Sequence, residues 1–310
     1  MTELSLPPLS LYIHIPWCVK KCPYCDFNSH VNSVEGSAKG NTNAADAIPE
    51  KAYLAKLKQD LAADLCFVQN RPLTSIFFGG GTPSLMSTAF YKDLLAHIER
   101  LIPFAADIEI TLEANPGTTE ASRFIGYRQA GINRLSLGVQ SFNTAHLNRL
   151  GRIHSGADAK RAIEEAKQAG FTNFNIDLMH GLEGQTIDQA MSDIRQALAL
   201  GPTHLSWYQL TIEQNTEYFR HPPKLPEDDA LWEIQQAGIE LLKQAGFAQY
   251  EVSAFSQTAK QARHNLNYWT FGDYIGIGAG AHSKVTVLDG SIDSERILRY
   301  RKTRMPKDYL

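Results

Sequence analysis

The chain has few cysteines, no long apolar run and no excess of charge of one sign. It contains four cysteines in 310 residues, and three of them lie close together at positions 18, 22 and 25, so a disulfide framework is not expected. No stretch approaches the roughly 18 consecutive apolar residues that a membrane-spanning helix requires, and the N-terminus lacks the basic and apolar regions of a signal peptide. The 30 basic and 33 acidic residues nearly balance, which gives no indication of a nucleic-acid partner. We therefore expect a cytoplasmic protein without a spanning membrane segment.

Short apolar segments alternate with amphipathic segments along most of the chain. The short segments predict six β-strands, at residues 11–17, 74–78, 108–113, 134–139, 173–179 and 204–210. Between successive strands lie segments with the apolar spacing of helices, at residues 49–68, 89–101, 120–130, 157–169 and 187–200. This alternation predicts βαβ units, a parallel sheet and hence an α/β fold. Because polar residues recur at the C-terminal ends of the strands, the pattern favours a partial (β/α)6 barrel of the TIM type over an open doubly wound sheet.

The alternation weakens beyond the sixth strand. The segment Pro222-Pro-Lys-Leu-Pro226 has the character of a linker, and a helix at 228–245 and a strand near 250–255 are predicted to follow it. We therefore divide the chain into a barrel domain, residues 1–215, and a C-terminal α+β extension, residues 216–310.

Cys18, Cys22 and Cys25 lie on a short segment directly after the first predicted strand. Thiolate sulfur is a soft ligand that favours iron–sulfur clusters, zinc or copper(I), and three thiolates leave one coordination position of a metal site open. A zinc site would need a fourth ligand, and two nearby histidines could supply it, His14 and His30. The remaining cysteine, Cys66, lies in an apolar run and is predicted to be a buried small hydrophobic residue.

Polar residues and glycines follow several predicted strands at the point where each strand ends. A glycine run, residues 79–81, follows the second strand, and Glu113, Gln140 and Asp177 end or follow later strands. Because the C-terminal ends of barrel strands share one face, these groups are expected to converge on a ligand with amino, carboxylate and hydroxyl groups. A buried carboxylate such as Glu113 needs a cationic or hydrogen-bonding partner. The alternative to a ligand is an internal salt bridge with one of three arginines, Arg134, Arg149 or Arg152.

The cysteine spacing and the strand-end motifs together resemble the radical S-adenosylmethionine (radical SAM) superfamily. The cysteines follow the pattern Cys-x3-Cys-x2-Cys with an aromatic residue, Tyr24, before the last cysteine, and this matches the cluster motif of that superfamily. Within it, the chain is similar to the group that contains oxygen-independent coproporphyrinogen III dehydrogenase and a haem chaperone. The resemblance extends from about Leu11 to His282 and is carried by the segments Tyr12-Ile-His-Ile-Pro-Trp-Cys, Gly-Gly-Gly-Thr-Pro-Ser, Glu113-Ala-Asn-Pro, Ser-Leu-Gly-Val-Gln-Ser-Phe, Leu-Gly-Arg152 and Asp177-Leu.

The resemblance implies a barrel of the radical SAM type with a [4Fe–4S] cluster on Cys18, Cys22 and Cys25. The fourth iron of such a cluster binds the amino and carboxylate groups of SAM, and its electron converts SAM to a 5′-deoxyadenosyl radical. By the same correspondence the residues that line the SAM site are Tyr12, Tyr24, Gly80, Gly81, Thr82, Glu113, Gln140, Arg152 and Asp177.

The residues around the cluster motif distinguish two branches of this group. The dehydrogenase branch usually has a further cysteine shortly after the motif and an N-terminal extension. Here Asp26 and Phe27 follow Cys25, and only ten residues precede the first predicted strand. Both features resemble the haem-chaperone branch, which implies binding of haem and its delivery to an acceptor protein. The alternative is a coproporphyrinogen III dehydrogenase that decarboxylates two propionates oxidatively, and whether SAM is cleaved stays open.

The segment His264-Asn-Leu-Asn-Tyr-Trp269 resembles the haem-associated motif of the chaperone branch, which makes His264 a candidate axial ligand of haem iron. The alternative is a histidine packed in the core. His282, after a glycine-rich run, could hydrogen-bond into the same site. The family normally continues with a small C-terminal domain, whereas this chain ends at Leu310, which leaves a truncation open. A basic segment precedes that end, containing Arg296, Arg299, Arg301, Lys302 and Arg304.

Overall fold

A computed structural model describes residues 6–31, 48–117, 123–288 and 296–310. Its strands form one large sheet and a separate two-stranded ladder. The strands are, in chain order, β1 (Leu9–Ile15), β2 (Trp17–Cys18), β3 (His30–Val31), β4 (Leu73–Gly80), β5 (Phe104–Ala114), β6 (Arg134–Gln140), β7 (Phe174–His180), β8 (His204–Gln209), β9 (Ala248–Gln249), β10 (Ala254–Ser256), β11 (Asp273–Ile277), β12 (His282–Val287) and β13 (Arg296–Arg301).

All six predicted strands are present, as β1, β4, β5, β6, β7 and β8. Neighbours in this series pair in parallel throughout. The strands are apolar along most of their length because a parallel sheet packs on both faces; every residue of β6, for example, is buried. The architecture is α/β, as predicted, and agrees with a partial TIM-type barrel.

Helices connect the parallel strands and pack against the sheet. They are α1 (Glu50–Asp64), α2 (Thr88–Leu101), α3 (Phe124–Ala130), α4 (Thr144–Arg149), α5 (Gly156–Gln168), α6 (Ile187–Ala199), α7 (Glu217–Arg220), α8 (Asp228–Gln244), α9 (Arg263–Trp269) and α10 (Pro306–Tyr309). Within the described ranges, none of these helices combines the length and the apolar character needed to cross a membrane.

The sequence of α5 shows why these helices form where they do. Ser155 and Asp158 make a reciprocal capping box that satisfies the free N–H groups at the start of the helix. Ala159, Ile163 and Ala166 then follow at helical spacing and are all buried, so one apolar face packs against the sheet.

The C-terminal extension continues the sheet at both of its edges. On one side β10 pairs antiparallel with β8 and carries β9, and on the other β11 pairs in parallel with β1 and carries β12 and β13. Residues before and after position 215 therefore share one sheet. The division into two domains stays a prediction.

Three local predictions differ from the structure. Cys66 was predicted to be buried and is exposed, because it lies in a 3-10 turn, Leu65–Phe67, that follows α1 and directs its side chain away from the core. The strand predicted near 250–255 is confined to Ala254–Ser256, where the chain pairs with β8. The predicted helix 120–130 begins at Phe124 in the structure, and residues 118–122 lie outside the described ranges.

Candidate functional site

The C-terminal ends of the parallel strands meet at one cavity of about 410 Å³, here called the cluster cavity. Residues at or just after the ends of β4, β5, β6 and β7 line it together with the cysteine loop, as the shared face of a barrel requires. All sequence-predicted cluster and SAM residues of the barrel except Tyr12 line this cavity, namely Cys18, Cys22, Tyr24, Cys25, Gly80, Gly81, Thr82, Glu113, Gln140, Arg152 and Asp177. The structure thus brings these residues together, and their roles stay predictions.

The cysteine loop, defined here as residues 18–29, is held at its base by two sets of contacts. There β2 and β3 pair in parallel, with Trp17 opposite His30. Close to this pair, the Asn28 side-chain amide donates to the backbone carbonyls of Ala279 (3.0 Å) and Arg304 (2.9 Å). Asn28 therefore links the loop to the C-terminal extension, a role that no local pattern in the sequence indicated.

Each cysteine of the loop has a hydroxyl or guanidinium group close to its sulfur. The three contacts join Thr82 Oγ1 to Cys18 Sγ (3.5 Å), Arg152 Nη1 to Cys22 Sγ (3.6 Å) and Ser29 Oγ to Cys25 Sγ (3.6 Å). Burial raises the pKa of the Cys18 and Cys25 thiols, so a bound metal must supply the positive charge that stabilises the thiolates. Soft sulfur ligands surrounded by donors, on the wall of a cavity, fit an iron–sulfur cluster.

The two histidines suggested as the fourth ligand of a zinc site both have other partners among the described residues. Both ring nitrogens of His14 are engaged, Nδ1 with the Tyr12 hydroxyl (2.8 Å) and Nε2 with the Asn28 carbonyl (2.9 Å). His30 Nε2 lies 3.1 Å from Asn28 Oδ1. Within the described parts of the chain, no three His, Cys, Asp or Glu side chains form a group that could hold a single metal ion. A cubane cluster distributes its thiolates over separate irons, so it does not require that convergence.

The glycine run at the end of β4 is required by close packing against the first strand and the cysteine loop. Gly80 has φ of +118°, and a Cβ atom there would lie 2.6 Å from the His14 ring. A Cβ atom on Gly81 would lie 2.5 Å from the Trp17 carbonyl oxygen. The Gly81 N–H donates to the Ile15 carbonyl (2.7 Å), which fixes the position of this turn beside the cysteines.

Glu113 is a carboxylate without a cationic partner at the centre of the site. It accepts one hydrogen bond from the Gly80 N–H (3.2 Å), and it forms no ion pair within the described residues. Burial raises its pKa to about 8, and the nearby Asp177 carboxyl contributes to the rise. A cationic ligand would remove that penalty.

The internal salt bridge proposed as an alternative for Glu113 is not formed. The three candidate arginines have other partners. Arg134 Nε lies 3.9 Å from Glu109 Oε2, and Arg149 Nε lies 3.8 Å from Glu183 Oε2. Arg152 donates to Asn115 Oδ1 (2.6 Å) and to the Gly138 carbonyl (2.7 Å). The unpaired carboxylate therefore favours the ligand interpretation.

Asp177 and Gln140 are both positioned by neighbouring strands. Asp177 accepts from the Asn175 side-chain amide (2.7 Å) and the Ser136 hydroxyl (3.3 Å), and burial raises its pKa despite these donors. Gln140 has φ of +70°, a conformation that is rare outside glycine. Its side-chain oxygen accepts from the Tyr208 hydroxyl (2.7 Å), so the strained residue is held in place from β8.

Two residues of the site were not found by sequence reasoning. Asn115 donates to Thr82 Oγ1 (3.0 Å) and accepts from Arg152, so it connects the donors of two cysteines. Tyr208 lines the cavity beside Gln140. Both are polar side chains at strand ends, the signal that identified Glu113 and Asp177, and that criterion applied to β5 and β8 would have found them.

Tyr12 lies outside the cluster cavity. It lines a larger neighbouring cavity of about 1030 Å³ and a smaller one of about 270 Å³. Glu113 lines all three cavities, so they adjoin one another at its carboxylate. The Tyr12 hydroxyl is engaged by His14, whose ring packs against Gly80.

His264 lies in the wall of the smallest cavity and not in the cluster cavity. Its ring stacks on Phe77, with centroids 4.0 Å apart, and meets Tyr268 edge-on at 6.3 Å. Its Nδ1 lies 3.6 Å from Glu109 Oε1, beyond good hydrogen-bonding distance. Burial lowers the pKa of His264, which favours the neutral imidazole that binds iron.

Comparisons with known proteins identify the family and the relatives of this chain. A family model described as the radical SAM superfamily matches residues 12–197, which include the cysteine loop and every predicted SAM residue. A protein of Haemophilus influenzae named "Heme chaperone HemW" is 55% identical over 99% of this chain and 76% of its own length. A protein of the same name from Escherichia coli (strain K12) is 54% identical over 99% of this chain and 77% of its own length. The solved structure of coproporphyrinogen III oxidase (HemN) from Escherichia coli, described as a radical SAM enzyme, matches with a TM-score of 0.75 and 26% identity over 90% of this chain and 65% of that chain.

Proposed function

Because this chain belongs to the radical SAM superfamily and is similar to curated haem chaperones over 99% of its length, we propose that it is a haem chaperone. It binds haem and delivers it to an acceptor protein in the cytoplasm, and it carries a SAM-binding [4Fe–4S] cluster. The identity of 55% to a curated haem chaperone is the observation that carries this proposal.

Cys18, Cys22 and Cys25 would hold the cluster, which when bound supplies single electrons to SAM. The protein contributes the electrostatic surroundings of the sulfurs. Thr82 and Arg152 donate to two of them, and Asn115 holds both donors in position. Donors aimed at cluster sulfur stabilise its negative charge and tune its redox potential.

Glu113 and Asp177 would bind the polar groups of SAM, because neither carboxylate has an ion-pair partner among the described residues. Glu113 is suited to the ammonium group, which would restore its ionised form, and Asp177 is suited to hydroxyl groups. Gln140, Tyr24, Gly80 and Gly81 would complete the wall of this site. For Tyr12 we propose a supporting role through His14, since it does not line the same cavity.

His264 would contact haem as an imidazole ligand from the smallest cavity. Its ring is held by Phe77 and Tyr268, and the neutral imidazole that burial favours is the iron-binding form. We test this residue by titrating haem into His264→Ala and into His221→Ala, an exposed histidine that lines none of these cavities. The visible spectrum of bound haem should change only in His264→Ala, and an unchanged spectrum would rule out this ligand.

The cluster is tested by anaerobic reconstitution with iron and sulfide. The wild-type protein should bind both and become coloured, Cys18→Ser should lose iron, and Cys66→Ser should keep it because Cys66 is exposed and outside the cluster cavity. A colourless protein loaded with zinc would contradict the cluster assignment.

A second candidate function is oxidative decarboxylation of coproporphyrinogen III, favoured by the match to the coproporphyrinogen III oxidase structure. The purified, reconstituted protein would be incubated anaerobically with coproporphyrinogen III, SAM and a reductant. The chaperone proposal predicts haem binding without a decarboxylated product. Formation of that product would establish the second function.

A further inference from the structure

The larger cavity, of about 1030 Å³, has no role in the site described so far. It lies between the C-terminal ends of β1 and β4 and the end of the chain. It adjoins the cluster cavity, with which it shares Asp26, Phe27, Gly80 and Glu113. Its volume matches the upper end of the range of ligand pockets, which is about 300–1000 Å³.

One side of this cavity is built from aromatic rings. Tyr12 and Phe77 stack with their centroids 6.1 Å apart and their planes inclined by 18°. Tyr268 and Tyr274 meet edge-on at 4.8 Å. Phe27 lies at the border with the cluster cavity and is 59% exposed. Flat apolar walls of this kind suit a planar conjugated ring.

A second part of the lining is basic. His282, Arg301 and Arg304 line it, and all three are exposed. His282 and Arg301 face each other in the β12–β13 pair, so both side chains leave the same face of the sheet. Neither arginine forms an ion pair with any carboxylate in the described part of the chain.

The neighbouring charges leave these two arginines as the available anion-binding groups. Lys302 also lines the cavity, but its Nζ lies 2.6 Å from both Asp60 and Asp64. The carboxylates that line the cavity are Asp26 and Glu113, and both lie on the border with the cluster cavity. The cavity therefore has an aromatic wall, a basic side and an acidic border.

The aromatic wall is in contact with the haem-associated motif. Phe77 lines both the larger and the smallest cavity, and its ring stacks on His264. Tyr268, four residues after His264, lines both the larger and the smallest cavity. A ring seated on this wall would thus adjoin the histidine predicted to contact haem.

We propose that the larger cavity seats the tetrapyrrole ring of haem, with its two carboxylates paired to Arg301 and Arg304. The planar ring lies against the aromatic wall, and the guanidinium groups bind the carboxylates in the two-pronged geometry that arginine favours. This assignment rests on the proposed haem-chaperone function and adds the groups that would orient the ligand.

The test compares haem with haem dimethyl ester, in which both carboxylates are neutral. Affinities of the full chain for each ligand would be measured by spectroscopic titration for the wild type, Arg301→Gln, Arg304→Gln and the control Arg299→Gln. Arg299 lies two residues earlier on the same face of β13, over the Phe271 ring, and does not line the cavity. Because Arg304 Nε also donates to Asn28 of the cysteine loop (3.1 Å), iron content and circular dichroism would be recorded for each variant.

Each cavity arginine variant should bind haem roughly 5-fold more weakly, as expected for an exposed ion pair, and should bind the ester as the wild type does. The wild type should bind the ester roughly 25-fold more weakly than haem if the two pairs act independently. Equal binding of haem and ester by the wild type, or equal weakening of both ligands in the variants, would overturn this assignment while leaving haem binding intact. Failure of the wild type to bind haem at all would instead refute the proposed function, and this assignment with it.

Discussion

Replacing Glu113 by glutamine tests whether its carboxylate is held ready for a cationic ligand. The pKa of Glu113 is raised to about 8 from 4.5, chiefly by burial and further by Asp177. Between these two pH values the folded protein binds a proton that the unfolded chain has released. The free energy of unfolding of the ligand-free protein therefore falls as the pH rises from 4.5 towards 8. Glutamine cannot ionise, so Glu113→Gln removes this loss.

The variant should therefore gain stability and lose affinity for SAM. At pH 7.5 the full linkage effect would be about 4 kcal/mol, and we expect a gain of about 2 kcal/mol because the side chain is partly exposed at the cavity wall. Loss of a charge-assisted contact to the ammonium group of SAM should cost about 1.5–3 kcal/mol, which weakens Kd roughly 10- to 100-fold. The wild type should also bind SAM more tightly as the pH rises from about 6 to about 8, whereas the glutamine variant should not.

Glu109 provides a matched control on the same strand. Although burial opposes it, His264 and Arg134 hold the pKa of Glu109 below its usual value, so this carboxylate is already paired. Glu109→Gln should therefore lower stability and leave the affinity for SAM within about twofold of the wild type. The assays are urea unfolding of the ligand-free protein and calorimetric titration of the reconstituted protein with SAM. Loss of stability in Glu113→Gln, together with wild-type affinity for SAM, would refute the reasoning.

Two further predictions concern packing and buried charge. Gly80→Ala should destabilise the protein by about 3 kcal/mol in denaturant unfolding, because the new Cβ would lie 2.6 Å from the His14 ring. The control is Gly170→Ala, which is also at positive φ but has no atom within 4 Å of the new Cβ. It should lower the free energy of unfolding by about 1 kcal/mol. Asp273→Asn should cost about 3–5 kcal/mol by the same assay, because Arg71 and Lys284 lose their buried carboxylate. Despite the opposing effect of burial, hydrogen bonds lower the pKa of Asp273, so wild-type stability should fall as the pH drops below 3.8. Equal costs for the two glycine variants, or no loss in Asp273→Asn, would contradict these assignments.

The positions of individual site residues were predictable to different degrees. Glu113 and Asp177 could be placed on one face because strand ends converge in any parallel barrel. That Glu113 has no ion-pair partner among the described residues could not be predicted, because sequence separation does not decide whether Arg134, Arg149 or Arg152 reaches it, and packing directs all three elsewhere.

The C-terminal residues show the same limit. The segment His264–Trp269 was recognised as a motif, yet the stacking of His264 on Phe77 depends on how α9 packs against β4. The contact between Asn28 and residues 279 and 304 joins parts of the chain that are about 250 residues or more apart. No local pattern encodes such a contact, because it depends on which surfaces the finished sheet brings together.

The sequence by itself determined the six parallel strands, the cysteine spacing and the branch indicated by Asp26 and Phe27. Each of these features depends on residues that are close together in the chain. The strands follow from the spacing of apolar residues, the cluster motif from three cysteines on one short loop, and the branch from the two residues that follow Cys25. Only the tertiary structure decided that Glu113 has no ion-pair partner among the described residues, that Cys66 is exposed, and that Arg301 and Arg304 line the same cavity as a group of aromatic rings. Those facts depend on side chains that are far apart in the sequence. Packing of the folded chain and the free-energy cost of burying charge determine which of them come into contact.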